Sequence, residues 1–106
     1  MKVHKLDEMI NGWFVGGFEP NAFKTEACEV AVKKYKEGDK EDEHFHKIAT
    51  EITLILSGEV VMFDKTWKDG DIITILPNQS TAFKALKDTV TVVVKVPGAL
   101  NDKYIS

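Results

Sequence analysis

The chain has 106 residues, 43% of them hydrophobic and 29% charged, with a formal net charge of −3. That length suits one domain with a core of its own, and the composition is that of a globular protein rather than a disordered or fibrous one. Lysines are dispersed among aspartates and glutamates, so no basic surface for nucleic acid is expected. No stretch reaches the roughly 20 apolar residues of a membrane span, and Met1–Lys5 lacks the apolar run of a signal peptide. The single cysteine, Cys28, has no intramolecular partner, which points to a reducing, cytoplasmic setting. It reads as a small buried strand residue rather than a catalytic thiol.

In chain order, the first 27 residues carry Leu6–Ile10, either a short helix or an edge strand, and then the glycine-punctuated apolar segment from Gly12 to Phe18. With Trp13, Phe14 and Phe18, that segment either packs beneath the domain or forms a contact with a second subunit. From there the chain becomes a series of short β runs. Val30–Val32, Ile52–Leu56, Glu59–Phe63, Ile72–Leu76 and Thr89–Val96 are rich in β-branched residues. They are bounded by Ser57-Gly58, Asp69-Gly70-Asp71, Pro77-Asn78 and Pro97-Gly98. Turns recur about every 8–12 residues, the spacing of an all-β sandwich or barrel. The helical alternative fails in the second half, where apolar residues do not recur at three-to-four spacing.

Two of the three histidines, His44 and His46, are two apart, and on a strand such residues face the same side. Glu51 follows at an odd offset. A turn at Lys47–Thr50 removes the parity conflict and lets Glu51, on an antiparallel neighbour, share the histidines' face. Thr53, Ile55 and Ser57 continue that face, leaving Ile52, Leu54 and Leu56 for the other, packed one. Two imidazoles and one carboxylate form a facial ligand set suited to Fe(II), with Mn(II), Ni(II) and Zn(II) as further candidates. The acidic run Glu41–Glu43 just before them is compatible instead with histidines that merely flank a solvated loop.

The pattern Gly38-x5-His44-x-His46-x4-Glu51-x6-Gly58 resembles the first motif of the cupin superfamily, position for position. The second motif is matched only by Gly70 and Pro77, with one residue more than usual between them. Gln79 stands at that motif's second glycine, Ala82 at its fourth metal ligand and Leu86 where asparagine is common. The resemblance covers roughly residues 28–97. It implies a single-domain jelly-roll, or double-stranded β-helix barrel, with His44, His46 and Glu51 as metal ligands, and a homodimer with the N-terminal segment at its contact. Lys84, two beyond Ala82, falls by alternation on the cavity side, where it salt-bridges Glu51 in a metal-free barrel, binds an acidic substrate, or lies near the barrel mouth with its head in water. Tyr35 is placed at the mouth, Trp67 is a packing residue, and His4 is solvated.

Three functions follow from this reading. The first is a divalent-metal barrel, in its enzymatic form acting on a small polar metabolite. The second is a metal-free isomerase or epimerase like the sugar-nucleotide-modifying cupins, with His44 or His46 as general base. The third is a non-enzymatic small-molecule binding barrel, which the absence of a histidine at Ala82 favours.

Overall fold

A computed structural model describes all 106 residues. Its eleven strands, in chain order, are β1 (Trp13–Gly16), β2 (Phe23–Lys24), β3 (Glu29–Tyr35), β4 (Lys40–Phe45), β5 (Thr50–Ser57), β6 (Glu59–Met62), β7 (Lys65–Lys68), β8 (Ile72–Ile75), β9 (Thr81–Ala85), β10 (Thr89–Val96) and β11 (Tyr104–Ile105). The only helix is a single 3-10 turn at Leu6–Glu8, so no helix is long and apolar enough to cross a membrane. One sheet has the order β2-β1-β3-β10-β5-β8 and the other β11-β4-β9-β6-β7. Every pairing between β3 and β10 is antiparallel, as the run of β-branched segments predicts.

The two sheets enclose one interior, and strand parity decides which residues enter it. On β5 the inward residues are Thr53 and Ile55, both buried, in line with Glu51. The expectation that Ile52, Leu54 and Leu56 form the packed face is therefore corrected. They lie on the outer surface of the sheet, and Leu56 is 56% exposed. The physical reason is that a two-sheet barrel has a single interior, so the face bearing the carboxylate is the buried one.

Ile55, Val60, Met62, Ile73, Ile75, Phe83 and Ala85 form the hydrophobic core, drawn from β5, β6, β8 and β9. Trp67 packs against this core and donates its Nε1–H to the Met62 carbonyl at 2.9 Å. Apolar side chains thus fill the end of the barrel near β6, β8 and β9. The other end, between β1, β3, β4 and β10, stays open and polar.

The N-terminal segment closes over that open end. Gly12 has φ +80°, and a Cβ there would collide with the Val32 carbonyl oxygen. Glycine therefore permits the backbone contact in which Val32 N–H donates to the Gly12 carbonyl at 3.1 Å. Trp13 then pairs with Ala31 of β3 and turns its ring toward the interior. Cys28 is half-buried in the irregular stretch before β3, not a buried strand residue. His4 is exposed.

Candidate functional site

The open end holds a cavity of about 270 Å³. His44, His46 and Glu51 all line it, and so does Tyr35.

A bulge brings the histidines there. Between β4 and β9 the register steps from Glu41↔Phe83 to His44↔Thr81, so three residues of β4 span two of β9. The extra residue reverses parity. Glu41 and His44, an odd number apart, therefore both face the cavity, and His46 follows by simple alternation. His44 donates its Nδ1–H to the Asp42 carbonyl within the bulge at 2.9 Å.

His46 is buried, and its Nδ1–H donates to the Asp102 carbonyl at 2.8 Å. The Asp102 carboxylate accepts from the backbone N–H groups of Lys47, Ile48 and Ala49 at 2.9–3.2 Å. It thereby caps the turn that the parity argument requires between His46 and Glu51. Burial pushes the Asp102 carboxyl up, but these three amides, with His46 nearby, bring it below the usual carboxylate value.

Both imidazoles spend Nδ1–H on a backbone carbonyl, which leaves each Nε2 with a free lone pair in the neutral ring. His46 Nε2 is buried, has no hydrogen-bond partner, and lies 3.4 Å from Glu51 Oε1. At that distance it makes a close electrostatic contact without hydrogen-bond alignment. The two rings stand edge to face, their centroids 5.5 Å apart. Glu51 also accepts from the Thr53 hydroxyl at 3.1 Å. Burial raises its carboxyl, but His46 when its ring is protonated at Nε2, the Lys95 ammonium and the Thr53 hydroxyl together hold it below the ordinary glutamate value.

These residues fit a divalent cation in kind. Metal-bound histidines commonly donate their second ring N–H to a carbonyl, and His46 Nε2 is an orphaned buried nitrogen beside a carboxylate. They do not stand as an assembled shell, because no three His, Cys, Asp or Glu side chains are drawn together at ligating range.

The second motif is read differently by the structure. Thr81, Phe83 and Ala85 are buried, while Ala82 and Lys84 are exposed. The expectation that places Ala82 at the fourth-ligand position, and Lys84 on the cavity side, is thus corrected by one residue. The side chain that lines the cavity opposite His44 is Thr81. Its hydroxyl accepts from Phe63 N–H at 2.8 Å and donates to the Ala82 carbonyl. Lys84 is exposed on the outer side of β9 and does not line the cavity.

Several site residues escaped the sequence reading. Lys95 lies directly opposite Glu51 on β10, and its inward parity with Thr91 and Val93 was the signal that could have found it. Burial pushes the Lys95 ammonium below the usual lysine value, against the attraction of Glu51 and Glu29. Lys33 and Trp13 also line the cavity. Tyr35 donates its hydroxyl to Glu41 at 2.9 Å. Nothing in the sequence marks Asp102, because its role depends on the chain returning over β4 as β11.

No protein-family description matches the chain, and no curated protein does. Solved structures do match. A protein with a double-stranded beta-helix domain from Klebsiella pneumoniae subsp. pneumoniae MGH 78578 superposes with a TM-score of 0.70 at 22% identity, covering 77% of this chain and 72% of that one. KdgF from Halomonas sp. gives 0.63 at 18% identity, over 69% and 72%. The DMSP lyase DddQ from Ruegeria pomeroyi DSS-3 gives 0.69 at 20% identity, over 89% of this chain and 49% of its own. The fold is a double-stranded β-helix of the cupin type. In this cupin-type barrel the first motif supplies the cavity's His44, His46 and Glu51, and the N-terminal β1 covers its open end.

Proposed function

We propose that this cupin-type barrel binds a small molecule in the cavity and that His44, His46 and Glu51 hold a divalent cation there, iron, manganese, nickel or zinc. The observation that carries this reading is His46 Nε2, a buried lone pair with no partner, aimed at the cavity beside Glu51 and oriented by the Asp102 carbonyl. A bound cation would supply Lewis acidity toward a ligand oxygen. The chain's own residues orient the imidazoles, exclude water with Trp13 and Tyr35, and keep Glu51 ionised. Elemental analysis of protein purified without chelator tests the assignment. About one equivalent of metal, lost in Glu51→Ala, supports it; metal-free protein with no gain on reconstitution overturns it.

A metal-free barrel is the second reading, and one observation favours it. Lys95, opposite Glu51, offers that carboxylate a cation from the protein itself. In this version His46 is the proton acceptor, its Nε2 free because Nδ1–H is held by Asp102.

We also infer a homodimer, but through a different surface from the N-terminal segment, since Trp13 faces the cavity. The outer face of the larger sheet presents Ile52, Leu54, Val92 and Val94 half-buried, with Leu56, Ile72 and Val96 exposed. Strands lie about 4.8 Å apart, so β10, β5 and the edge strand β8 make an apolar face roughly 15 Å across. That is the order of one side of a standard interface, about 800 Å². A second copy offers the same apolar face and matches it by two-fold symmetry. The free, half-buried Cys28 accords with a reducing, cytoplasmic location.

A further inference from the structure

Two lysines converge on one indole at the cavity. Lys33 of β3 and Lys95 of β10 place their ammonium groups 5.2 and 5.0 Å from the centroid of the Trp13 ring. Both side chains are half-buried and line the cavity. Neither lies within 4.0 Å of a carboxylate, whereas Lys103, at the same cavity, is 3.9 Å from Glu41. The carboxylate nearest in register to Lys95 on its β3 side is Glu29, and its Oε2 is occupied by Ala99 N–H at 2.9 Å.

Half-burying an ammonium is costly when the carboxylates that attract it, Glu51 and Glu29 for Lys95, stay beyond 4.0 Å. Holding two beside one ring adds mutual repulsion that the indole's cation–π attraction, about 0.5–2 kcal/mol, only partly offsets. An anion that reaches both ammonium groups beside the ring removes both costs. The geometry points to a carboxylate-binding subsite formed by Lys33 and Lys95 over Trp13, so that the ligand of this cavity is a small organic acid with its carboxylate at the lysines and its body toward His46 and Glu51. This deepens the proposed small-molecule reading and rests on it, but it does not require the metal. The cavity, about 270 Å³, lies just below the range of ligand pockets, about 300 to 1,000 Å³. The subsite therefore suits an acid of a few carbons. Gln79 at the rim has its side-chain oxygen taken by Leu76 N–H at 2.9 Å. Its amide N–H groups remain to donate to a second carboxylate of the same ligand.

The test uses a Trp67→Phe background, in which Trp13 is the sole indole, and follows its fluorescence as malonate is added. Chelator-treated and zinc-loaded protein are titrated in parallel. Saturable binding of malonate in both states, with none by neutral malonamide at equal concentration, is expected. Lys33→Met and Lys95→Met should each weaken binding at least tenfold with unchanged circular dichroism, while Lys84→Met, outside the barrel, should not. Binding to chelated protein and to Glu51→Ala upholds the subsite even if the metal reading fails. Malonate binding that needs zinc and ignores both lysine substitutions overturns the subsite and leaves the metal reading standing. Absence of malonate binding in both states overturns it as well, and saturation by inorganic phosphate alone reassigns the lysines to phosphate and overturns the carboxylate assignment.

Discussion

Asp102 holds His46 from two directions at once: its carbonyl accepts the imidazole Nδ1–H at 2.8 Å, and its carboxylate caps the three amides that follow His46. One residue near the C-terminus therefore fixes both the orientation of the ring and the turn that carries the chain to Glu51.

Replacing Asp102 by alanine should expose three amides to an unpaired state. Hydrogen bonds to charged acceptors contribute about 1.5–3 kcal/mol each and are not additive. A net loss of about 3 kcal/mol is expected, read by urea denaturation. Both Asp102 and Glu51 have carboxyls held below their ordinary values. Their contribution is full above the unfolded-state values, about 4, and is lost as pH falls through the lower folded-state ones. The wild-type stability curve should therefore drop in that acid window, and Asp102→Ala should flatten the drop.

This relationship also marks where sequence reasoning ends. The barrel was legible because β-branched runs and turn residues repeat along one dimension, and the shared face of His44, His46 and Glu51 followed from parity plus a turn. The side to which parity points was not legible on β5. There Ile52, Leu54 and Leu56 look like core, yet a polar interior leaves them outside. On β9, counting from Pro77 misplaces the inward residue by one, because the stretch from Pro77 to Thr81 is one residue shorter than the family spacing. Asp102, Lys33 and Lys95 become site residues only through long-range pairing, which no local pattern encodes.

Tyr35 should ionise far above the ordinary tyrosine value of about 10. Burial is the main cause, reinforced by the negative charge of Glu41 and the hydrogen bond to it. The chain has two tyrosines. Spectrophotometric titration should show one phenol resisting ionisation until the protein unfolds, and Tyr35→Phe should remove that component. Ionisation of Tyr35 near pH 10 in folded protein would refute the Tyr35–Glu41 pair.

The dimer prediction sets two surfaces against each other. Ile72 is 64% exposed on the outer face of the larger sheet, so Ile72→Lys should yield monomers in sedimentation velocity by placing a charge within the contact. Trp13→Glu should leave the dimer intact while disturbing the cavity, because the indole faces inward. Monomeric wild-type protein, or a dimer lost only in Trp13→Glu, would remove the sheet face from consideration.

The position opposite His44 gives the sharpest test of the metal reading. Family spacing places the fourth ligand at Ala82, but Ala82 is exposed and Thr81 is the buried neighbour paired with His44. If His44, His46 and Glu51 hold a cation, an added imidazole tightens binding only where its side chain enters the cavity. Thr81→His should lower the zinc dissociation constant by at least tenfold, although losing the hydroxyl that accepts Phe63 N–H costs the fold about 1–2 kcal/mol. Ala82→His should leave affinity at the wild-type value. Because ligands must be deprotonated to bind, retention should fall with pH in both the wild type and the Thr81→His protein. Competition with a zinc-responsive dye measures all of these. Equal effects of the two substitutions would refute the register argument. Indifference to Glu51→Ala and Thr81→His together would leave Lys95 as the cation that Glu51 faces, and His46 Nε2 as a proton acceptor in a metal-free barrel.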